Sequence, residues 1–251
     1  MKSGVHAVLL IALVSFASAL SGCEFWQYNI ANGNNGPHTG QNDVVWNIAV
    51  KGARPAAMGL EEVCGGSSNV INDSIARYGY HGDFDGGLGT CGGQRYGNAI
   101  FHLGRHIPIS GHPDGIVTGR YSSQQSHTRG YLGIAIDASG NKYMMWVTHL
   151  ESCCAGVAAD QAWQLLQTVL FYRDVTHLPQ IVAGDFNLRP DQWPMNAWCD
   201  NFPGTGEANQ CRGKTHGDDQ IDYLFSSLPW NRGAAYFTGQ SDHALVVGGF
   251  G

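Results

Sequence analysis

Gln180-Ile181-Val182-Ala183-Gly184-Asp185-Phe186-Asn187-Leu188 places a carboxylate and an amide directly after a short apolar run. Residues 181–183 read as a buried strand, and Gly184 breaks it. If strand geometry continues, Asp185 and Asn187 project to one side while Phe186 points into the core. Strand ends and the loops after them are where α/β proteins commonly build reactive sites. Taken alone, the stretch reads as an Asx turn after a buried strand. Its partners elsewhere in the chain decide between the two.

The chain has 251 residues and no stretch that reads as a linker, which favours one domain over residues 23–251. A formal charge of −6 and a charged fraction of 14% describe a weakly acidic, Gly-rich globular protein. That balance supplies no global basic field for nucleic acid, so phosphate binding has to come from a local site. Residues 1–22 read as an export segment, with Lys2, an apolar run over 7–17 and Ala17-Ser18-Ala19 as a small-residue cleavage site. The run is too short for a comfortable membrane span. Leu20-Ser21-Gly22-Cys23 overlaps it and resembles the lipobox of bacterial lipoproteins, with Cys23 lipidated. Secretion and a lipid anchor at the outer face of a membrane both stand, and both place the protein outside the cytoplasm.

Seven cysteines fit an oxidising compartment. Cys64 and Cys91 flank a Gly/Ser/Asp-rich segment, and Cys199 and Cys211 a Gly/Asn-rich one, so each pair is a candidate staple. Adjacent Cys153 and Cys154 are open to a vicinal disulfide or to separate partners. No CxxC pair marks a cysteine zinc site.

Strand candidates cover 25–31, 56–63, 96–103, 115–121, 131–137, 142–150, 220–225, 234–238 and 244–250. Helices are expected over 42–51, ended by Pro55, and over 157–173, where Val157, Gln161, Leu165 and Val169 recur at every fourth position. Segment 64–93 reads as surface loops. Many strands and few helices point to an α/β fold of two sheets packed face to face with helices outside.

Two more strand ends carry polar groups. Ser241-Asp242-His243 immediately precedes Ala244-Leu245-Val246-Val247, and Thr148-His149-Leu150 ends the apolar run 144–147. A lone strand-end histidine is ordinarily just hydrogen-bonded. Two of them beside carboxylates and an amide are harder to dismiss. Tyr28-Asn29-Ile30-Ala31, Gly59-Leu60-Glu61-Glu62-Val63, Thr148-His149-Leu150, Gly184-Asp185-Phe186-Asn187, Ile221-Asp222-Tyr223 and Ser241-Asp242-His243 resemble, in order, the motifs of the endonuclease/exonuclease/phosphatase superfamily.

The resemblance spans nearly the whole mature chain. It implies a DNase I-like, four-layered α/β sandwich, two packed and mostly antiparallel sheets flanked by helices, with the site at one end. It implies a metal held by Glu62 with Asn29 and Asp242, and such oxygen ligands suit Mg2+, with Mn2+ or Ca2+ as alternatives. Asp185 and Asn187 would position the attacking water and Asp185 would accept its proton; His243, held by Asp222, is the other candidate for that activation. His149 would donate toward the phosphate or the leaving group.

Glu61, as the strand neighbour of Glu62, is expected to face the opposite side. Trp46-Asn47-Ile48 mimics the Asn29 motif from within a helical stretch. Arg129-Gly130-Tyr131 resembles the phosphate-binding arginine before a strand in DNase I and in the nuclease subunit of cytolethal distending toxin. Tyr96-Gly97-Asn98 resembles the segment whose tyrosine contacts phosphate and whose third residue supports His149; Asn98 stands where DNase I has a carboxylate. Arg105 reads as structural. Val63-Cys64 stands where DNase I has a minor-groove arginine, which weakens a duplex-DNA reading.

The expected activity is phosphodiester hydrolysis by a monomer, with DNA as the leading substrate. A phospholipid or sphingomyelin phosphodiesterase, or an inositol-type phosphatase acting on a phosphorylated small molecule, is the alternative. An inactive binding module is the least favoured. A lipid substrate would call for an exposed apolar hairpin, for which 193–198 and Pro229-Trp230 are the candidates.

Overall fold

Residues 23–31, 40–202 and 213–249 are described by the structure, a computed structural model; the export segment 1–22 and Cys211 lie outside them. The chain begins β1 (Glu24–Asn29), α1 (Gly40–Ala49), β2 (Ala57–Cys64), α2 (Gly65–Ile75), a 3-10 turn (Ala76–Tyr78), β3 (Tyr80–Cys91), β4 (Gln94–Leu103) and β5 (Arg105–His106). It continues β6 (Ile116–Arg120), β7 (Gly130–Ala138), β8 (Asn141–His149), α3 (Ala155–Thr176) and β9 (Gln180–Asp185). It closes with α4 (Met195–Asn201), β10 (Asp222–Ser226), β11 (Arg232–Tyr236) and β12 (Leu245–Gly249). One six-stranded sheet has the order β11-β12-β1-β2-β4-β3; the other runs β10-β9-β8-β7-β5, with β6 also on β7. Pairing is antiparallel except at β1–β2 and β8–β9. This is the α/β sandwich expected from the sequence.

The central strands are apolar on both faces because both are covered. In β8, Tyr143, Met145 and Val147 enter the layer between the sheets, while Met144 and Trp146 pack outward with Leu165 and Leu166 of α3. In β1 and β2, Trp26, Tyr28, Met58 and Leu60 pack outward with Val44 and Ile48 of α1 and Ile71 of α2. The sheets approach closely at Gly59, where an added Cβ would lie 2.5 Å from Ala183 Cβ. A side chain there would push the sheets apart just below the polar strand ends.

Segment 64–93, expected as loops, instead forms α2, the 3-10 turn and β3. Two of the four buried positions of α2 are Ser67 and Ser68, so its inward face carries no continuous apolar stripe to read. Strand β3 is a Gly-rich edge strand, joined to the end of β2 by the Cys64–Cys91 disulfide. Cys199 is also disulfide-bonded; its expected partner is Cys211. Cys153 and Cys154 are free thiols rather than a vicinal disulfide. Cys154 instead caps α3, its carbonyl accepting from Val157 and Ala158 N–H at 2.9 and 3.0 Å.

Trp198 and Trp230 are fully buried, so neither patch forms an exposed hairpin; Trp193 is exposed and lies against Trp163. Arg105 forms a surface ion pair with Asp137. Asn47 lies within α1 rather than at a strand end. Among the described residues no helix is long and apolar enough to cross a membrane.

Candidate functional site

The site is the polar continuation of the layer between the sheets. The inward face of β8 ends in His149 after Met145 and Val147, and that of β9 ends in Asp185 after Ile181 and Ala183. Asn29 follows Phe25 and Gln27 on β1, and Asp222 precedes Leu224 on β10. Strand alternation thus delivers these groups to one end of the sandwich without special backbone geometry.

Glu62 needs such geometry. It would share the outward face of Leu60, but the β2–β4 register breaks between Leu60 and Val63, and Glu62 adopts φ 56°. The bulge with its left-handed residue turns the carboxylate into the cleft, a use of bulges common beside reactive sites. The same geometry corrects the expectation for Glu61. It does not face away: it is fully buried under the site, accepting from Gln27 Nε2 at 3.0 Å, and Gln27 Nε2 also donates to Asp222 at 3.0 Å. Burial, then the charges of Asp222 and Asp185, push the Glu61 carboxyl well above the usual range.

Asp185 is the hub. Its Oδ2 accepts from Asn29 Nδ2 at 3.0 Å and lies 3.5 Å from His149 Nε2 and 3.8 Å from His243 Nε2. Its Oδ1 accepts from the Asn187 N–H at 3.0 Å, and Asn187 Nδ2 donates to Leu150 O at 3.1 Å, which holds the turn. Phe186 between them is fully buried in the outer core, as the strand reading requires. His243 Nδ1 lies 2.9 Å from Asp222 Oδ2. Exposed Asp242 stands at the rim, 3.6 Å from His216 Nε2 and 4.0 Å from His243 Nε2.

Charge is unevenly distributed over these groups. Burial, then the charge on Asp222, pushes Asp185 up to about 7. Burial opposes a charge on His243, but Asp222, followed by Asp185 and Asp242, lifts it to about 10. Burial, then Arg129, His243 and His127, holds His149 well below the ordinary imidazole range.

Glu62, His149, Asp185, Asn187, Asp242 and His243 border a cleft of about 350 Å³ whose wall includes Tyr96, Arg129 and Leu88. Arg129 is 5% exposed, and its Nε is buried without a partner, a donor left for a ligand. Tyr96 hydrogen-bonds Glu62. Asn98 does not reach His149: its amide donates to Gly130 O at 3.2 Å, and it does not border the cleft.

Three participants escaped the sequence. His127 and His216 both border the cleft, and Gln27 braces Asp222 from below. Gln27 was findable, two residues before Asn29 on the same strand face. His216 arrives through an isolated bridge to His243 that no periodicity announces; their rings lie 4.5 Å apart.

Carboxylates and imidazoles converge here closely enough to hold a cation: the ligand atoms of Asp185, Asp222 and His243, and those of His216, Asp242 and His243, lie within 4.8 Å of one another in each set. Glu62 borders the same cleft and adds carboxylate oxygens. Asn29 Oδ1 accepts from the Ala31 N–H at 3.0 Å, which leaves it a second lone pair, while Asn29 Nδ2 turns to Glu62 and Asp185. Hard oxygen donors beside space for water fit Mg2+ or Mn2+.

Two histidines, a buried guanidinium and several carboxylates at one end of two packed sheets define a hydrolase of phosphate esters. The chain belongs to the Endonuclease/Exonuclease/phosphatase family, whose model matches residues 27–243. Members of that family generally depend on a divalent metal. No curated protein matches the sequence.

Among solved structures, the fold is similar to the human Nocturnin catalytic domain with bound sulfate anion, at a TM-score of 0.69 and 19% identity, covering 90% of this chain and 93% of that one. It is similar to a Bacteroides thetaiotaomicron mannosyl-6-phosphatase, at a TM-score of 0.65 and 15% identity, covering 90% and 98%. It is also similar to TDP2 from Caenorhabditis elegans, at a TM-score of 0.63 and 18% identity, covering 100% and 82%. At these identities the likeness is one of fold.

Proposed function

We propose that the chain is an exported, divalent-metal-dependent phosphodiesterase, with DNA as its leading substrate. The observation that carries this is the approach of His149 and His243 to one oxygen of Asp185, at 3.5 and 3.8 Å, in a cleft bordered by Arg129, whose buried Nε has no partner. Arg129 grips a phosphate oxygen, assisted by Tyr96. Asp185, at about 7, takes the proton of a water that Asn187 helps to position, because a base works best when its pKa lies near the working pH. His243, kept as imidazolium by Asp222, offsets charge on the phosphoryl oxygens. His149 is neutral and donates an N–H hydrogen bond toward the leaving oxygen. Glu62, Asp242 and Asn29 would hold the metal, which supplies positive charge to the same oxygens.

One observation favours a second reading, a phospholipid or a phosphorylated small molecule. Among the described residues, Arg129 is the one Lys or Arg that borders the cleft, little for a long polyanion to follow. The test is a substrate panel of plasmid DNA, RNA, sphingomyelin and inositol phosphates, run on the purified monomer with Mg2+ and again with EDTA. Plasmid cleavage that EDTA stops is the expected result. Turnover of sphingomyelin or a phosphomonoester with no cleavage of DNA overturns the nuclease reading.

Export through residues 1–22 belongs to the same proposal. If the chain is anchored at Cys23, the anchor sits at the start of β1, and the cleft lies at the other end of that strand. Cys23→Ser then releases the protein from the membrane fraction; an unchanged distribution removes the anchor.

A further inference from the structure

At the end of the sandwich away from the cleft, Asp83 of β3, His102 of β4 and His106 of β5 bring three ligand atoms together. Asp83 Oδ2 lies 3.2 Å from His102 Nε2 and 3.0 Å from His106 Nε2, and the two nitrogens are 3.2 Å apart. His102 pairs with Ala57, five residues along β2 from Glu62, which puts the cluster on the order of 15 Å from the cleft floor. The side chains point between the sheets: Asp83 is paired with Ile100, a residue of the inter-sheet core, and His106 with Ile136, another.

Protons alone do not satisfy this triangle. If both imidazoles donate to the carboxylate oxygen, two N–H groups crowd each other across 3.2 Å. If one imidazole donates to the other, the acceptor nitrogen presents its lone pair to the carboxylate oxygen as well. One cation among the three atoms satisfies all the contacts. Zinc bonds to imidazole nitrogen and carboxylate oxygen of about 2.0–2.1 Å in a tetrahedron require edges of about 3.3 Å, close to those present. His102 is fully buried, and the side chains of His106 and Asp83 are 29% and 19% exposed, so the fourth position opens to water.

We propose that Asp83, His102 and His106 form a second metal site, selective for Zn2+ or a similar nitrogen-preferring cation. The site joins the β3–β4 edge of one sheet to β5 of the other. Its role is structural, since no cleft residue contributes to it. The usual outer support is incomplete: His102 Nδ1, which carries the proton in the metal-binding tautomer, has no hydrogen-bond partner. Outer partners of this kind are worth about 10- to 100-fold in affinity, so the site binds more weakly than a fully braced one.

The experiment uses the mature chain, stripped with EDTA, dialysed and titrated with Co2+ and then Zn2+. Visible cobalt absorption reads the geometry, elemental analysis the stoichiometry and thermal melting the coupling to the fold. The same titrations are made on His106→Ala, Asp83→Asn and His243→Ala. One equivalent present in the wild type and in His243→Ala should be missing from His106→Ala and Asp83→Asn. The zinc-dependent rise in melting temperature should vanish with it. Mg2+-supported activity should be unchanged in His106→Ala. Asp83→Asn keeps the side-chain shape, so it reports even if His106→Ala fails to fold. Equal stoichiometry and equal zinc-dependent stabilisation in the wild type and Asp83→Asn overturn the proposal.

Discussion

The corner of the cleft at the end of β8 and the corner at the start of β12 are built from similar parts. Each places a histidine at a strand end, His149 at 4% and His243 at 6% exposure, and each ring points a nitrogen at Asp185 Oδ2. Their charges are nevertheless opposed. His243 has Asp222 at 2.9 Å on its far nitrogen and is held as imidazolium up to about 10. His149 is buried beside Arg129 and is held neutral. Burial penalises both cations, and one buried carboxylate reverses that penalty at one of them. Two equally buried histidines are thereby fitted to different tasks, a fixed charge at one corner and a neutral donor at the other.

Removing either ring is the harshest way to break the comparison. His149→Ala and His243→Ala should each lower kcat/KM on the substrate that the panel identifies by about 100- to 10,000-fold, with unchanged circular dichroism. Near-full activity in either variant takes that histidine out of the reaction. Asp222→Asn probes the difference between the corners with a smaller change. Without its partner, His243 titrates nearer the ordinary value of 6.5, so the ring is still charged at low pH and loses its charge as pH rises. Relative to wild type, the variant should lose little near pH 6 and more toward pH 9. Parallel pH–rate profiles for the two proteins would sink the idea that Asp222 acts by keeping His243 charged.

The same corners show how far the sequence could be read. His149 and Asp185 were legible because they end apolar runs, and alternation then fixes which way they point; Asp222 came only with its motif. Glu62 was legible only through its motif, since simple alternation puts it on the wrong face and the bulge that rescues it leaves no signature in composition. Glu61 was misread for the same reason. The partners that set charge were harder still. Asp222 reaches His243 across the two sheets, and His216 and His127 come from irregular segments whose placement depends on tertiary contacts rather than on any period. In the fold, α2 was missed because serines take two of its four buried positions, and β3 because its glycines interrupt any apolar alternation; the Cys64–Cys91 disulfide ties β3 to the end of β2.

The mildest test concerns the neutral corner and the loop that helps to keep it neutral. Glu151, two residues after His149, is fully buried and accepts from Ser126 Oγ and from the backbone N–H groups of Ser126, His127, Ser152 and Cys153. Burial alone would raise this carboxyl, but the Ser126 hydroxyl and then those N–H groups outweigh it and lower Glu151 to about 2. A depressed acid adds stability that is fully present above its unfolded value, about 4.5, and is lost as pH falls through about 2. The wild-type melting temperature should therefore fall between pH 4.5 and 2 by a component that belongs to Glu151. Glu151→Gln should start lower at neutral pH and lack that part of the slope, because an amide offers its NH2 to donors that need an acceptor. His127 rides on the same loop and is one of the charges that hold His149 down. The variant should thus also lose a few-fold of activity, far less than His149→Ala. A Glu151→Gln protein with the wild-type acid slope would mean that this carboxylate does not brace the loop, and the neutrality of His149 would then rest on burial, Arg129 and His243.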